Sequence, residues 1–403
     1  MSNPPARNYR QLLLNHPGML GLAFLAIFTG NLGQSFFIGL FQAPISERLN
    51  LSAGEFGSIY SAVTLLSGFL VLKLGPSIDW VAPRRYALLV LSGLLAGSLL
   101  LTLAPWWDWA LLGLGMVRLC GQGLLTHMGS TLAGREFTQN RGRALGLVTL
   151  GMPLGEIILP PILALLLVIV GWQTAWWFLL GLLALFWLAV WFRVNWPSAP
   201  QQPPARGSRP QGPNPLKETR FWLLLPLLLA IPIIMTGIFI YQASMTEDLE
   251  AGTTTYALAL TAMGLARFPG SLLGGRWIDH WGVTRLARFY LLPFILGLAA
   301  AASFQGDVGI WLLMLGSGLS MGMQGPILDS LLVHLWGSQH LGRVRSVKSA
   351  CMVFSTGLTP ALLGWLLDTG VHFQTLLVWM CLGSILALLV ALKPIQQAAN
   401  LPS

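Results

Sequence analysis

Long apolar segments separated by short polar ones recur along the whole chain. A bilayer core of ~30 Å is crossed by roughly 20 apolar helical residues. The pattern therefore predicts an all-α membrane protein with twelve transmembrane helices. The predicted spans lie near residues 17–42, 53–78, 86–104, 107–134, 142–170, 173–194, 221–247, 253–278, 285–304, 308–336, 343–368 and 373–393.

A polar segment divides the spans into two groups of six. Its sequence, NWPSAPQQPPARGSRPQGPNPLKETR, contains seven prolines and no apolar run, which is typical of a solvated linker. The predicted organisation has two tails, two six-helix halves and one linker. In chain order these are 1–16 (tail), 17–194 (half), 195–220 (linker), 221–394 (half) and 395–403 (tail).

The composition agrees with an integral membrane protein. Hydrophobic residues make up 55% and charged residues 9%, whereas soluble proteins carry about 25% charged residues. The apolar run from Met19 to Phe41 is too long for a signal peptide, so it predicts a real span. The three cysteines fall inside apolar runs, and neither metal-ligand spacing, a nucleotide loop nor a catalytic triad is recognisable. We expect no enzymatic activity and no cofactor.

The basic residues predict how the chain crosses the membrane. If both termini are cytoplasmic, 19 of the 23 lysines and arginines lie on that side, as the positive-inside rule requires. The net charge of +9 is thereby explained by short loops beside lipid, and nucleic acid is not expected as a partner. We predict an integral protein of the bacterial inner membrane, monomeric, with cytoplasmic termini.

Two loop motifs occur once in each half. KLGPSIDWVAPRR after span 2 matches LGGRWIDHWGVTR after span 8, and RGRALG in span 5 matches RVRSVK in span 11. Two six-helix halves in parallel repeat resemble the major facilitator superfamily, as does the loop signature of glycine, aspartate and basic residues. The resemblance implies a conformational latch made by Asp79 and Arg85 in one half and by Asp279 and Arg285 in the other.

Four charged residues lie deep within predicted spans, away from their ends, and a charge at the bilayer centre costs at least ~2.5–3.5 kcal/mol. They are Arg118, Glu156, Arg267 and Asp329. The pairs Arg118–Glu156 and Arg267–Asp329 would leave each half near neutral. Arg118 has two interpretations that stay open: a structural pin between spans 4 and 5, or part of a polar track for substrate or protons.

A narrower resemblance concerns the monocarboxylate transporter branch. GLARFPGSLLGGRWID in span 8 is similar to that family, which has an arginine followed closely by proline in the substrate path, and this places Arg267 there. REFTQNRGRALGLVTLGMPLG resembles its span 5 signature. The chain departs from animal members at Met263, where they carry aspartate, and at Gln34, where they carry lysine.

These features predict a secondary active transporter for a small organic anion, for example a monocarboxylate. It would work by alternating access with substrate held between the halves, and protons would be the coupling ion. Arg267 is the expected cationic contact, with the polar lining Gln34, Gln122, His127 and Gln324. Arg118, Glu156 and Asp329 are the expected charge-pair or proton-coupling residues, because a partly buried carboxylate beside an arginine can exchange a proton as a cavity opens and closes.

Two other functions fit the same pattern. An efflux antiporter for amphipathic compounds would use the 13 methionines and many phenylalanines as an adaptable pocket. A sensor with a transporter fold would bind ligand without moving it. Direction of flux separates the first alternative from uptake, and absence of counterflow in proteoliposomes would identify the second.

The topology makes a direct prediction for the linker. A cysteine introduced at Ser208 should resist a membrane-impermeant maleimide on intact cells and react after permeabilisation. Reaction at Ser208 without permeabilisation would place the linker outside and contradict the topology.

Overall fold

The protein was studied as a computed structural model that describes residues 9–103, 106–137, 140–197, 215–337 and 341–399. Residues 198–214, which include most of the linker and Ser208, lie outside the described part. In the described ranges the chain forms helices and the turns that connect them. The α-helices are α1 Tyr9–Asn15, α2 Pro17–Gly30, α3 Ser35–Gly39, α4 Gln42–Leu49, α5 Ala53–Leu74, α6 Pro83–Leu103, α7 Trp107–Val117, α8 Thr126–Glu136, α9 Arg141–Thr149, α10 Gly151–Arg193, α11 Thr219–Ile240, α12 Gln242–Asp248, α13 Thr253–Trp281, α14 Val283–Ala287, α15 Leu292–Ser303, α16 Asp307–Trp336, α17 Leu341–Asp368 and α18 Phe373–Ala399.

Within the described ranges, nine helical segments are long and apolar enough to cross a membrane, or ten if the bent pair at the start counts as one span. One of the nine, Gly142–Arg193, is 52 residues long, which at 1.5 Å per residue is about two membrane thicknesses. Gly171, with φ of 76°, interrupts it. Helix α13 is 29 residues long but less apolar, because it begins with three threonines and carries Arg267. The architecture is consistent with the twelve predicted spans.

The chain separates into two compact units. The first contains residues 1–49 and 62–205, and the second contains residues 50–61 and 206–403. The boundary between residues 205 and 206 falls inside the proline-rich segment. The short stretch 50–61, at the start of α5, packs with the C-terminal helices, and nothing in its sequence indicated this.

In the first unit, α2 packs against α8, α9 and the beginning of α10. Two glycines of α10 allow this approach. A Cβ at Gly151 would lie 2.9 Å from the Phe24 carbonyl oxygen, and a Cβ at Gly155 would lie 2.0 Å from the Asn31 side chain. These two glycines of span 5 therefore permit the close approach of α2 and the break that follows it.

In the second unit, α13 packs along α16 through glycines. A Cβ at Gly318 would lie 2.2 Å from the Met263 carbonyl oxygen, and a Cβ at Gly322 would lie 2.2 Å from the Arg267 carbonyl oxygen. Small residues let helix backbones approach closely in lipid, where van der Waals packing drives helix association. Because Arg267 lies on the contact between these helices, its position depends on the glycines.

The glycine contact predicts the effect of one added methyl group. Gly322→Ala should lower stability by about 1–3 kcal/mol, because the methyl group meets backbone atoms that cannot move aside. The control is Gly383→Ala in α18, where a Cβ has nothing within 4 Å and a helix gains about 1 kcal/mol from alanine. Thermal unfolding in detergent measures both; equal melting temperatures for the two variants would contradict the close packing.

Candidate functional site

Two irregular helical segments meet in the first unit. The first is the break of span 1, where α2 gives way to a 3₁₀ turn at Asn31–Gly33 and Gln34 is extended before α3. The second is a π-helix at Arg118–Leu125, which separates α7 from α8. π-Bulges often occur at functional sites, and interrupted helices inside a membrane are tolerated only where protein or a water-filled cavity surrounds them.

Glycines bring the two irregular segments into direct backbone contact. A Cβ at Gly33 would lie 2.5 Å from the Gln122 backbone nitrogen and 2.8 Å from the Val117 carbonyl oxygen. A Cβ at Gly121 would lie 2.9 Å from the Gly33 backbone nitrogen. Any larger residue at Gly33 would force the segments apart.

Arg118 links the two segments by a hydrogen bond. Its side chain is 5% exposed, and its Nη1 donates a hydrogen bond of 2.9 Å to the Gly33 carbonyl oxygen. That carbonyl belongs to the broken part of span 1, so the guanidinium supplies a partner where helical bonding is interrupted. Arg118 therefore acts as a pin, but between spans 1 and 4; its predicted pairing with Glu156 stays a prediction.

Asn31 connects the break to α10. Its Nδ2 donates hydrogen bonds to the Phe28 carbonyl oxygen at 2.9 Å and to the Gly151 carbonyl oxygen at 3.0 Å. Its Oδ1 is buried and accepts no hydrogen bond from the described residues. Glu156, which is 2% exposed, follows directly after the Gly155 that fits against Asn31. The break of span 1 thus contacts the segments that carry Arg118 and Glu156.

Gln34 and Gln122 lie on the two irregular segments and are half-buried. Neither side chain hydrogen-bonds to any residue in the described ranges, so both amides are available to a ligand. His127 lies elsewhere: a Cβ at Gly75 would lie 3.4 Å from its ring, and Thr131 approaches its Nε2 at 3.5 Å. His127 therefore packs against the end of span 2, and the structure does not group it with Arg118.

In the second unit, the Gln324 side chain forms a hydrogen bond to the backbone of a neighbouring helix. Its Nε2 donates a hydrogen bond of 3.3 Å to the Leu228 carbonyl oxygen of α11. Four residues later comes Pro232, which lacks the N–H that would otherwise bond that carbonyl. Gln324, predicted to line a ligand site, thus bonds a carbonyl that Pro232 leaves without its helical donor. Arg267 is half-buried on α13, beside Gly322 of the same helix that carries Gln324.

Asp329 does not behave as the sequence suggested. Its carboxylate bonds Arg345 at 2.7 Å and lies 4.0 Å from Lys348, both on α17, and its side chain is 41% exposed. It lies seven residues beyond Gly322, about 10 Å along α16 from the level of Arg267. In this structure the Asp329 carboxylate thus meets two cations of α17, and the predicted Arg267–Asp329 pair stays a prediction.

The four proposed latch residues occupy the ends of their helices. Among the described residues, neither Asp79 nor Asp279 forms an ion pair or a hydrogen bond, and Arg85 and Arg285 are exposed. A latch acts in one conformation of a transport cycle. Its assignment to these residues stays a prediction.

A tight helix crossing in the second unit was not expected. We define the α5–α17 seam as residues 50–61, Tyr241 and residues 360–368. The Tyr241 hydroxyl lies 2.8 Å from the Ala53 carbonyl oxygen and 2.7 Å from the Pro360 carbonyl oxygen, and its proton can serve either. A Cβ at Gly57 or at Gly364 would come within 2.3 Å of that hydroxyl.

Polar contacts extend the α5–α17 seam to the start of α5 and the end of α17. Asp368 Oδ2 accepts hydrogen bonds from the Gly54 backbone N–H at 2.9 Å and from the Ser52 hydroxyl at 2.7 Å. The Ala361 backbone N–H donates to Ser61 Oγ at 3.0 Å. A carboxylate that caps the first turn of a helix is favourable because that turn has unpaired N–H groups.

Sequence reasoning missed several of these residues for identifiable reasons. Asn31 could have been found, because it is a polar residue between glycines in an otherwise apolar span. Tyr241 and Asp368 carried no such signal, since each stands at the end of a span where polar residues are ordinary. Only their contacts across helices distinguish them.

Comparison with known proteins identifies the family. The family model described as Major Facilitator Superfamily matches residues 23–245 and 233–401. The chain therefore belongs to the Major Facilitator Superfamily, and it is a membrane transport protein rather than an enzyme.

Individual relatives agree with that membership. The probable L-galactonate transporter of Escherichia coli (strain K12) is 24% identical over 392 residues, which cover 89% of this chain and 84% of that protein. A crystal structure of a peptide transporter POT mutant matches with a TM-score of 0.72 at 13% identity, over 98% of this chain and 99% of that one. An inward-facing, unoccupied structure of a bacterial homolog to the human lysosomal transporter Spinster matches with a TM-score of 0.63 at 14% identity, over 98% and 95%. The two structures show the fold alone.

The α5–α17 seam predicts a distinct effect of one hydroxyl. Tyr241→Phe should lower stability by about 0.5–1.5 kcal/mol and expose a cysteine placed at Ser58, whose hydroxyl accepts a bond from Trp365 Nε1. The control is Tyr256→Phe, because the buried Tyr256 hydroxyl has no hydrogen-bond partner among the described residues. Thermal unfolding and maleimide labelling rates measure both effects; identical behaviour of the two phenylalanine variants would show that the hydroxyl does not hold the seam.

Proposed function

We propose that this secondary transporter carries a small organic anion, and that its substrate is a monocarboxylate of the sugar-acid class. The observation that carries the proposal is the meeting of two irregular helices at Arg118. There the buried Arg118 guanidinium donates a hydrogen bond to the Gly33 carbonyl oxygen. The nearby amides of Gln34 and Gln122 form no hydrogen bond to another described residue. A guanidinium suits a carboxylate, and amides suit hydroxyl groups.

The similarity to a probable L-galactonate transporter supports this substrate class. A galactonate is a monocarboxylate that also carries several hydroxyl groups. It therefore satisfies both the resemblance to monocarboxylate transporters and the presence of amide side chains. A short monocarboxylate without hydroxyl groups would leave the two amides unused.

Arg267 is the second candidate for the cationic contact. It is half-buried in span 8, and the chain resembles the monocarboxylate branch around it. The alternative role of neutralising Asp329 has lost its support, because Arg345 and Lys348 contact that carboxylate. Arg118 belongs to the first unit and Arg267 to the second. Substrate affinity can therefore be measured in a variant of each arginine separately.

Proton coupling is proposed to involve Glu156. Its side chain is 2% exposed, and it adjoins Gly155, which fits against Asn31. A buried carboxylate that changes its exposure during transport can change its proton occupancy. Asp329 is a weaker candidate, because it is exposed and lies in an ion pair of the kind found at protein surfaces.

Alternating access requires helix contacts that open and close again. We propose that the α5–α17 seam is one of these contacts. Its closeness depends on Gly57 and Gly364, and a small set of hydrogen bonds that can break and re-form joins its two sides. Asp368 would then release the first turn of α5 when the seam opens.

Transport by purified protein in proteoliposomes tests the function. Labelled L-galactonate should exchange against internal L-galactonate and accumulate under an inward proton gradient. Galactose, which lacks the carboxylate, is the control and should not compete. Binding without counterflow would favour a sensor, and extrusion of amphipathic compounds in place of galactonate would favour an efflux antiporter.

The cationic contact is tested by conservative substitution. Arg267→Lys keeps the charge but loses the planar fork that grips a carboxylate at two points. If Arg267 is the contact, this variant should fold normally and bind L-galactonate about ten- to a hundredfold more weakly, since charge-assisted contacts contribute roughly 1.5–3 kcal/mol. Arg276→Lys, at the exposed end of the same helix, is the control and should bind normally.

A parallel variant, Arg118→Lys, separates the two candidates. Loss of affinity in Arg118→Lys together with normal affinity in Arg267→Lys would assign the contact to Arg118, and the reverse result would assign it to Arg267. The double variant Arg267→Gln with Asp329→Asn should not recover function, because Asp329 pairs with Arg345 and lies beside Lys348. Recovery would support the predicted Arg267–Asp329 pair.

A further inference from the structure

A deep apolar groove runs along the first unit between α6 and the second half of α10. Its volume is about 670 Å³, within the range of small-molecule sites, and Thr29 of α2 contributes to its lining. Along α10 the lining extends from Trp177 to Phe192, a rise of ~22 Å, about two-thirds of the bilayer core. The groove is thus long enough to hold much of an acyl chain.

The two helices are bridged at both ends of the groove and separated in between. At one end, Gln173 Nε2 donates a hydrogen bond of 2.7 Å to the Thr102 carbonyl oxygen. At the other end, the Arg84 guanidinium lies 5.3 Å from the ring centre of Trp191, which also lines the groove. A groove braced in this way cannot close by simple collapse of the helices.

The corresponding helices of the second unit pack together. There α15 contacts α18 along its length, and Gln374 Nε2 donates to the Ala302 carbonyl oxygen at 2.9 Å. Cys381 Sγ approaches the Ile295 carbonyl oxygen at 3.7 Å in the region where the first unit has its groove. The groove is therefore a feature of one unit and does not follow from the repeat itself.

Cations gather at the Arg84 end. Arg84 and Arg85 open α6, Arg193 closes α10, and all three are exposed. None of them forms an ion pair within the described ranges. Residues 80–107 and 157–217, which include both walls, contain no aspartate or glutamate. Asp79 is the acidic residue nearest to Arg84 in the sequence, so three arginines leave the mouth of the groove with a net positive charge.

We propose that this groove is a binding site for an anionic phospholipid. One acyl chain lies between α6 and α10, and the phosphate group meets Arg84, Arg85 and Arg193 at the mouth. This is the face of the bilayer that we predict to be cytoplasmic, where anionic headgroups attract basic residues. Trp191 lies at the mouth between chain and headgroup, as tryptophans do at membrane interfaces.

The site is tested on the full-length protein in detergent. Native mass spectrometry measures the retention of phosphatidylglycerol and of phosphatidylcholine with the same acyl chains, each titrated separately. We expect at least tenfold tighter binding of phosphatidylglycerol. The water-soluble headgroup glycerophosphoglycerol should not bind measurably, because it lacks the chain that fills the groove.

Two pairs of variants assign the binding to this groove. Gly181→Leu places a side chain into the groove, and a Cβ there has nothing within 4 Å, so the variant should fold and lose at least tenfold in affinity for both lipids. Gly383→Leu, equally open but on α18, should leave binding unchanged. Arg84→Gln should weaken phosphatidylglycerol about fivefold, whereas the exposed Lys393→Gln should not.

Several outcomes would overturn the proposal. Equal retention of phosphatidylglycerol and phosphatidylcholine would show that the arginines do not select an anionic headgroup. Unchanged binding in Gly181→Leu would place the lipid elsewhere on the protein. Binding of a long-chain alcohol as tightly as phosphatidylglycerol would mean that the groove takes apolar molecules in general, and tight binding of the free headgroup would mean that the chain is not required.

Discussion

The structure depends on one constraint: inside a bilayer, every backbone N–H and C=O group must find its partner within the protein. At two interruptions of the helical hydrogen bonding, a polar side chain from another helix supplies that partner. Arg118 bonds the Gly33 carbonyl at the break of span 1, and Gln324 bonds the Leu228 carbonyl that Pro232 leaves without its helical donor. Polar residues in this membrane protein therefore serve the backbone first, and those not needed for it are available to a substrate.

Close helix approach follows from the same constraint. A side chain can reach a carbonyl of the next helix only if the backbones lie near each other, and glycines at Gly33, Gly155 and Gly322 allow that. The close contacts also make the units stiff where they occur. A groove remains between α6 and α10, where no such glycine contact between described residues holds the helices together.

The same logic separates the charged residues into two groups. Arg118 and Glu156 are almost fully buried, so each must have a specific surrounding that offsets the penalty for burying a charge. Asp329, Arg345 and Lys348 are partly exposed near a helix end, where an ion pair contributes little to stability. Burial, rather than presence in a predicted span, distinguishes the candidates for transport chemistry.

The sequence by itself determined the helical membrane fold, the two-part organisation, and the intramembrane charges Arg118, Glu156 and Arg267. These follow from apolar length, proline-rich composition and the cost of burying charge, which are local properties of the chain. Only the tertiary structure decided which helices meet. In the structure Asp329 pairs with Arg345, and His127 packs against the end of span 2. Gln324 bonds a carbonyl of proline-containing α11. The start of α5 contacts Tyr241 and Asp368. Contacts between helices depend on the rotation and spacing of each helix in the bundle, and no periodicity within a single segment records them.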